Sequence, residues 1–291
     1  MANILKRHVW LVVLAAFLVT SIGLGIRQNF GLMLPVMTAD LSLDRQSFAF
    51  AMALQNLMWG LFSPPLGALA DKYGSGRMIA FGGLVYAGGL WVMAHAEGTL
   101  GLNIGTGLII GFAQAATGFA VVLAVVARRV SLEKRSMALG IASAGGSFGQ
   151  LYMAPVSLGL IESFGWSMAL VYLVFLALMM TILAAALTGR PGETTHHQGP
   201  SQTLKQAVQE ALSDRSFRFL TAGFFVCGFQ VAFLAVHLPA YLQDLGFGAS
   251  MGATAIALIG FFNIIGTWVF GVLGGKYPKR FLLSSLYVLR A

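Results

Sequence analysis

Long apolar runs dominate the chain, and short polar stretches separate them. The first six runs lie at 9–37, 46–70, 78–95, 100–127, 136–160 and 166–188. In hydrocarbon the backbone must satisfy its own hydrogen bonds, so a run of about 20 apolar residues predicts a spanning α-helix. The pattern therefore predicts six membrane-spanning helices before residue 189.

A polar stretch from Gly189 to about Phe217 interrupts this pattern and predicts a linker, within which Leu204 to Leu212 has the spacing of a surface helix. Two more apolar runs follow at 218–243 and 249–274. A ninth run begins at Phe281, but the chain stops at Ala291, too soon to cross a bilayer. We expect a six-helix bundle, a linker and an incomplete second bundle, over residues 1–188, 189–217 and 218–291.

The composition supports a membrane protein. Apolar residues make up 57% of the chain and charged residues 10%, and the mean hydropathy is +0.80. The net charge of +8 would also suit a nucleic-acid partner, but the basic residues form small clusters between apolar runs, as membrane topology requires. The single Cys227 excludes an intramolecular disulfide and a cysteine metal cluster. The adjacent His196 and His197 are not spaced as two ligands of one metal, so no cofactor or metal is expected.

The distribution of lysine and arginine predicts the orientation. With the amino terminus inside, only Arg45 faces outward, Arg27 lies within a span, and Arg290 lies in the unfinished one. The others fall on the cytoplasmic side: Lys6, Arg7, Lys72, Arg77, Arg128, Arg129, Lys134, Arg135, Arg190, Lys205, Arg215, Arg218, Lys276, Lys279 and Arg280. We expect a multi-pass protein of the cell (inner) membrane with a cytoplasmic amino terminus. The first run is too long for a signal peptide and lacks a small-residue cleavage pattern.

Arg27 is the most informative single residue, because a guanidinium inside a span is costly unless it faces a cavity or a partner. It lies roughly 6 Å beyond the midpoint of the first run. No aspartate or glutamate lies within any span, so a substrate carboxylate could supply the missing negative charge. The alternatives are a side chain that reaches outward, one that bonds to backbone carbonyls, or an acidic partner on helices beyond this chain.

Other polar residues recur at helical spacing and predict a polar centre. We take Gln55, Gln114, Gln150, Gln230 and His237 as candidate substrate-binding residues, together with Arg27. Each glutamine could line a water-filled path or bond one helix to another. His237 could couple transport to protons, although it precedes Pro239 near the end of its run and could equally be a neutral structural histidine.

A short charged turn joins the second and third runs, and it contains Gly67, Asp71, Lys72, Gly74 and Arg77. It resembles the loop between the second and third helices of the major facilitator superfamily: Gly, three residues, Asp, a basic residue, one residue, Gly, then basic residues. In this chain only Arg77 supplies the trailing charge. The resemblance implies an all-α membrane protein with the major facilitator fold. It also implies that these five residues act as a conformational switch, whose charges latch one half of the transporter against the other on the cytoplasmic side.

An internal repeat gives a second sign of the same family. When the sequence is shifted by 204 positions, Leu34-Pro35, Asp40-Leu41 and Lys72-Tyr73 fall on Leu238-Pro239, Asp244-Leu245 and Lys276-Tyr277. Such repeats are typical of secondary transporters, in which two halves face each other across a central site. A member of this family would have twelve helices, so the resemblance implies a chain truncated after the eighth.

Three stretches narrow the resemblance to the monocarboxylate and oxalate/formate group: Gly25-Ile-Arg27-Gln28-Asn-Phe30-Gly31, Leu139-Gly-Ile-Ala-Ser-Ala-Gly-Gly146 and His237-Leu-Pro239. The arginine that drug-proton antiporters carry three residues before a glutamine is absent, because Gly111 precedes Gln114. We expect a monomeric carrier of a small organic anion that works by alternating access, with a coupling proton or counter-anion. A drug or metabolite exporter and a truncated, non-transporting remnant are the alternatives. No motif of a membrane enzyme is present.

Overall fold

The computed structural model of the chain describes residues 2–188, 204–273 and 277–290, and every regular element in these ranges is helical. Part of the predicted linker, with His196 and His197, and the repeat residues Gly275 and Lys276 lie outside the described residues. The helices are α1 Ala2–Gln28, α2 Phe30–Asp40, α3 Arg45–Tyr73, α4 Ser75–Ala94, α5 Thr99–Leu102, α6 Gly111–Thr117, α7 Phe119–Arg129, α8 Leu132–Leu183, α9 Leu204–Ser213, α10 Arg215–Asp244, α11 Ala249–Leu273 and α12 Lys279–Arg290.

Six stretches of the described chain are long and apolar enough to cross a membrane: Val9–Asp40, Ser75–Ala94, Thr99–Arg129, Leu132–Leu187, Arg215–Asp244 and Ala249–Phe270. The second predicted run forms α3, which has 29 residues but is less apolar, since Gln55, Asn56 and the pair Pro64-Pro65 interrupt it. The chain is therefore an all-α, multi-pass membrane protein, as the apolar pattern predicts.

The first span is broken, whereas the sequence predicts one continuous helix. At Asn29 the backbone N–H donates to the carbonyl of Ile26 over 3.2 Å, and the side-chain Nδ2 donates to the carbonyl of Gly25 over 2.7 Å. An asparagine that bonds to the local backbone competes with the helical pattern. The break separates α1 from α2 and leaves Arg27 at the end of α1.

The fourth span is also irregular. A π-helical segment, Asn103–Ile110, follows α5, and at Gly118 the extended backbone (ψ 175°) separates α6 from α7. Wider helical turns of this kind often occur at functional sites. The break leaves Gln114 on the last turn before Gly118.

The long helix α8 contains both the fifth and the sixth predicted runs, and the chain reverses between them at Gly165 (φ 78°). A straight helix of this length would separate its ends by roughly 80 Å, yet Arg129, just before α8, donates to the carbonyl of Thr188 over 2.7 Å. Just after the turn at Gly165, Ser167 donates to the carbonyl of Ala94 at the end of α4, over 2.7 Å. The two parts of α8 therefore run antiparallel, and glycine permits the positive φ at the turn.

Close backbone contacts hold α1 against α8. A Cβ added at Gly149 would lie 2.0 Å from the carbonyl oxygen of Ser21, and one at Gly145 would lie 2.3 Å from that of Phe17. The hydroxyl of Thr20 donates across this contact to the carbonyl of Ala142 over 2.8 Å. Glycine at these positions lets the two helices approach closely, and this packing fixes the helix that carries Arg27.

The helices after residue 214 pack against the first part of the chain at two places. A Cβ added at Gly31 on α2 would lie 2.0 Å from the carbonyl oxygen of Ala235 on α10, and one at Gly260 on α11 would lie 2.8 Å from that of Ser147 on α8. An ion pair between Arg45 and Asp244 joins the start of α3 to the end of α10. These contacts connect the helices after residue 214 to α2, α3 and α8.

Candidate functional site

Arg27 lies inside the bundle, with 6% of its surface exposed. Its Nε donates to Oε1 of Gln55 over 3.1 Å, and its Nη2 donates to Oδ1 of Asn56. The guanidinium also stacks on Trp59, with Cζ 5.1 Å from the centre of the ring. The side chain thus neither reaches into lipid nor bonds to its own backbone, and the described residues offer it only neutral hydrogen-bond partners.

The two amide side chains are themselves fixed by backbone carbonyls. Nε2 of Gln55 donates to the carbonyl of Thr106 over 3.1 Å, and Nδ2 of Asn56 donates to that of Met52 over 2.8 Å. Each amide therefore presents its oxygen to Arg27. Within the described residues no hydrogen bond is made by Nη1 of Arg27, so that nitrogen keeps both of its N–H groups.

Gln114 belongs to a second hydrogen-bonded group next to Arg27. The hydroxyl of Tyr86 donates to the carbonyl of Gly23 over 3.0 Å, and Nε2 of Gln114 donates to the same hydroxyl over 3.5 Å. Gly23 lies one helical turn before Arg27, about 6 Å along the helix axis. Both Tyr86 and Gln114 are buried.

A small, partly open cavity lies between the first, second and fourth spans. Thr20, Trp59, Gln114, Thr117 and Phe119 line it, with Gly118 at the break in the fourth span. Trp59 therefore contacts both Arg27 and the cavity. Arg27 is not among the lining residues, and its contact with Trp59 links it to this small, mainly apolar space.

The remaining candidates lie elsewhere. Gln150 is buried on α8, and its Oε1 has no hydrogen-bond partner among the described residues. Gln230 and His237 are half-buried on α10, where the His237 ring lies 5.0 Å from that of Phe233. The structure brings Arg27, Gln55 and Gln114 together near Trp59 and Tyr86 and places Gln150, Gln230 and His237 apart from them. As substrate-binding residues, all six stay predictions.

The predicted switch loop forms a compact charged turn. Asp71 pairs with Arg128 over 2.6 Å, and Arg128 also donates to Ser75 over 2.6 Å. Gly74 ends α3 with φ 99°, a conformation that favours glycine. Lys72 lies over the ring of Tyr73, with Nζ 5.1 Å from its centre. Arg77 is exposed, and nothing lies within 4 Å of a Cβ added at Gly67.

Four residues of these groups were not among the predicted site residues: Asn56, Trp59, Tyr86 and Arg128. Asn56 and Trp59 follow Gln55 in an otherwise apolar run, and Tyr86 is the only tyrosine of the third run. These sequence features mark the positions as polar but do not predict their hydrogen-bond partners.

No group of three or more His, Cys, Asp or Glu in the described parts of the chain could hold a metal ion.

Comparisons with known proteins agree with this architecture. A family model described as Major Facilitator Superfamily matches residues 9–291. Monocarboxylate transporter 11 of Mus musculus is 30% identical over 255 residues, which cover 86% of this chain and 55% of the relative. Multi-drug resistance efflux pump PmrA of Streptococcus pneumoniae is 26% identical over 264 residues, covering 86% of this chain and 63% of that protein. The chain thus spans little more than half the length of such relatives.

Among solved structures, a bacterial homologue of the human lysosomal transporter Spinster, in an inward-facing and unoccupied conformation, superposes with a TM-score of 0.70. It is 17% identical to this chain, and the match covers 94% of this chain and 64% of the other. At this identity the likeness shows the fold alone.

Proposed function

Because this chain belongs to the major facilitator superfamily, we propose that it binds a small organic anion of the monocarboxylate class as part of a secondary transporter that works by alternating access. The observation that carries the proposal is Arg27, a buried cation whose hydrogen-bond partners are two neutral amides. An uncompensated charge at this depth is costly. A carboxylate of the substrate supplies the compensating charge.

The geometry of the guanidinium supports this role. Nε and Nη2, which donate to Gln55 and Asn56, share one edge of the planar group. The adjoining edge, formed by Nη1 and the second hydrogen of Nη2, is the one that can hold a carboxylate through two parallel hydrogen bonds. The amides and Trp59 fix the plane of the guanidinium, and the substrate occupies the open edge.

The relatives divide between two substrate classes. A relative named monocarboxylate transporter favours the anion, and a relative named multi-drug resistance efflux pump favours an exporter. The fixed positive charge favours the anion, since it would repel a cationic drug in a medium of low dielectric constant. Besides the exporter, the alternative to an anion transporter is a chain that binds the anion without transporting it.

Several finer assignments belong to the same proposal. The chain sits in the cell membrane with a cytoplasmic amino terminus, and residues 1–188, the linker 189–217 and residues 218–291 are its units. The loop with Asp71 and Lys72 switches the conformation, and transport is coupled to a proton or a counter-anion, with His237 as a candidate site for the proton. The positive-inside distribution supports the orientation, and the Asp71–Arg128 ion pair supports a charged switch.

The test replaces Arg27 and measures binding and uptake of labelled lactate, formate and oxalate by the purified chain in lipid vesicles. We expect Arg27→Gln to weaken binding about 10- to 100-fold, because it removes charge-assisted hydrogen bonds. The affinity of Arg27→Lys should lie between those of the wild type and Arg27→Gln, because lysine keeps the positive charge but lacks the planar pair of donors that holds a carboxylate. Arg218→Gln, which removes an exposed arginine of α10, is the matched control.

Three outcomes are distinct. Equal anion binding by wild type and by a folded Arg27→Gln variant would remove Arg27 from the site. Arg27-dependent binding without uptake would identify a chain that binds but does not transport. Binding of cationic drugs in place of anions would favour the exporter.

A further inference from the structure

The orientation of the Gln114 amide is fixed by a neighbour that has only one proton to give. The hydroxyl of Tyr86 donates that proton to the carbonyl of Gly23, over 3.0 Å, and a carbonyl oxygen can only accept. Toward Gln114 the hydroxyl must therefore act as acceptor, so Gln114 turns its NH2 group to Tyr86. The carbonyl oxygen of Gln114 faces the other way.

That oxygen is a buried acceptor without a partner. Gln114 is 3% exposed, and its Oε1 makes no hydrogen bond within the described residues. The same side chain lines the cavity between the first, second and fourth spans, whereas Tyr86 does not. A buried acceptor of this kind loses free energy unless a donor reaches it, and the cavity is the side from which a donor can come.

Gln114 and Arg27 flank the same indole ring. Trp59 stacks on the guanidinium and lines the cavity together with Gln114. The Tyr86 hydroxyl that holds Gln114 is bonded to Gly23, one helical turn from Arg27, which is about 6 Å along the axis. A ligand in the cavity that contacts Gln114 must therefore extend along Trp59 for its carboxylate to meet Arg27.

We propose that Gln114 is a specificity-determining residue that accepts a hydrogen bond from a hydroxyl group on the bound anion, so that the site selects hydroxy acids. The proposal rests on the proposed function, since Arg27 holds the carboxylate. An unsubstituted acid of the same size leaves Oε1 of Gln114 unpaired. A keto acid places a second acceptor against it, which is repulsive.

The experiment uses three acids of equal chain length, lactate, propionate and pyruvate, and measures their dissociation constants for the purified chain in lipid nanodiscs. We expect lactate to bind roughly 3- to 10-fold more tightly than propionate, the effect of one neutral hydrogen bond in a buried site, and pyruvate to bind no better than propionate. In Gln114→Met the lactate-to-propionate ratio should fall to about one, because methionine keeps the size but cannot accept the hydroxyl proton well.

Asn103→Leu is the matched control. Asn103 lies on the same span and has an unpartnered, buried Oδ1, but it does not line the cavity. We expect this variant to keep the wild-type ratio. The role of Gln114 is overturned if the wild-type lactate-to-propionate ratio is near one, or if Gln114→Met leaves that ratio unchanged. If Arg27 is still essential for binding in either case, the anion site itself stands. Binding of none of the three acids overturns the proposed function itself.

Discussion

The two ends of helix α3 are held by ion pairs that connect different parts of the chain. At its start Arg45 pairs with Asp244, so this ion pair joins the first half of the chain to α10. Near its other end Asp71 pairs with Arg128, and both residues belong to the first half. The same chemistry therefore ties the halves together at one end and stiffens a loop within one half at the other.

The internal repeat makes the contrast sharper. Asp40 and Asp244 are equivalent positions when the sequence is shifted by 204 residues. Asp40 accepts a hydrogen bond from Nε1 of Trp166 over 2.7 Å, within the first half, whereas Asp244 accepts from Arg45 across the halves. Equivalent residues of a duplicated fold thus have different partners, because each half meets different neighbours.

The largest expected effect comes from filling the close contact between α2 and α10. Gly31→Leu places a side chain where even a Cβ would lie 2.0 Å from the Ala235 carbonyl. Overpacking of this kind costs about 1–3 kcal/mol, which should shift the equilibrium toward separated halves roughly 5- to 150-fold. The measurement is maleimide labelling of Ala235→Cys in a Cys227→Ser background, which should become faster.

Gly60→Leu is the control, because nothing lies within 4 Å of a Cβ at Gly60 on α3. Its labelling rate at position 235 should match the background. Equal rates for Gly31→Leu and Gly60→Leu would show that α2 and α10 do not hold each other in the membrane.

A smaller effect is expected at the opposite end. Asp71→Asn removes the ion pair with Arg128. The side chain of Asp71 is 63% exposed and that of Arg128 is 32% exposed. Pairs this exposed contribute at most about 1 kcal/mol, so thermal unfolding in detergent should begin only slightly earlier. A double-mutant cycle with Arg128→Gln should give a coupling energy above zero, and Glu133→Gln, an exposed acid on the same side, should show none with Arg128.

The smallest effect on stability is expected for Arg45→Gln. The Arg45 and Asp244 side chains are 54% and 48% exposed, so solvent screens this ion pair more strongly than the Asp71–Arg128 pair. The coupling energy with Asp244→Asn should disappear in 1 M salt, where the screening length is about 3 Å. The charge-swapped double variant, Arg45→Asp with Asp244→Arg, should restore the coupling energy at low salt. A coupling energy larger than that of Asp71 with Arg128 would reverse the order expected here.

Much of the fold follows from local patterns. The apolar runs predict the helices, and the loop from Gly67 to Arg77 predicts the major facilitator superfamily, which the family model confirms. The gap between the fifth and sixth runs predicts the reversal found at Gly165, whereas the breaks at Asn29 and Gly118 were not predicted. They depend on how one or two residues meet the neighbouring helices, and hydropathy averaged over a window does not contain that information.

The sequence alone determined that Arg27 is a cation inside an apolar run, with no acid in any predicted run to neutralise it. Only the tertiary structure decided that Gln55, Asn56 and Trp59 surround it, and that Tyr86 orients Gln114 at the cavity wall. The reason is physical. Charge and hydropathy belong to the residue itself, whereas a hydrogen-bond partner on another helix depends on the rotation and depth of both helices, which packing of the whole bundle sets.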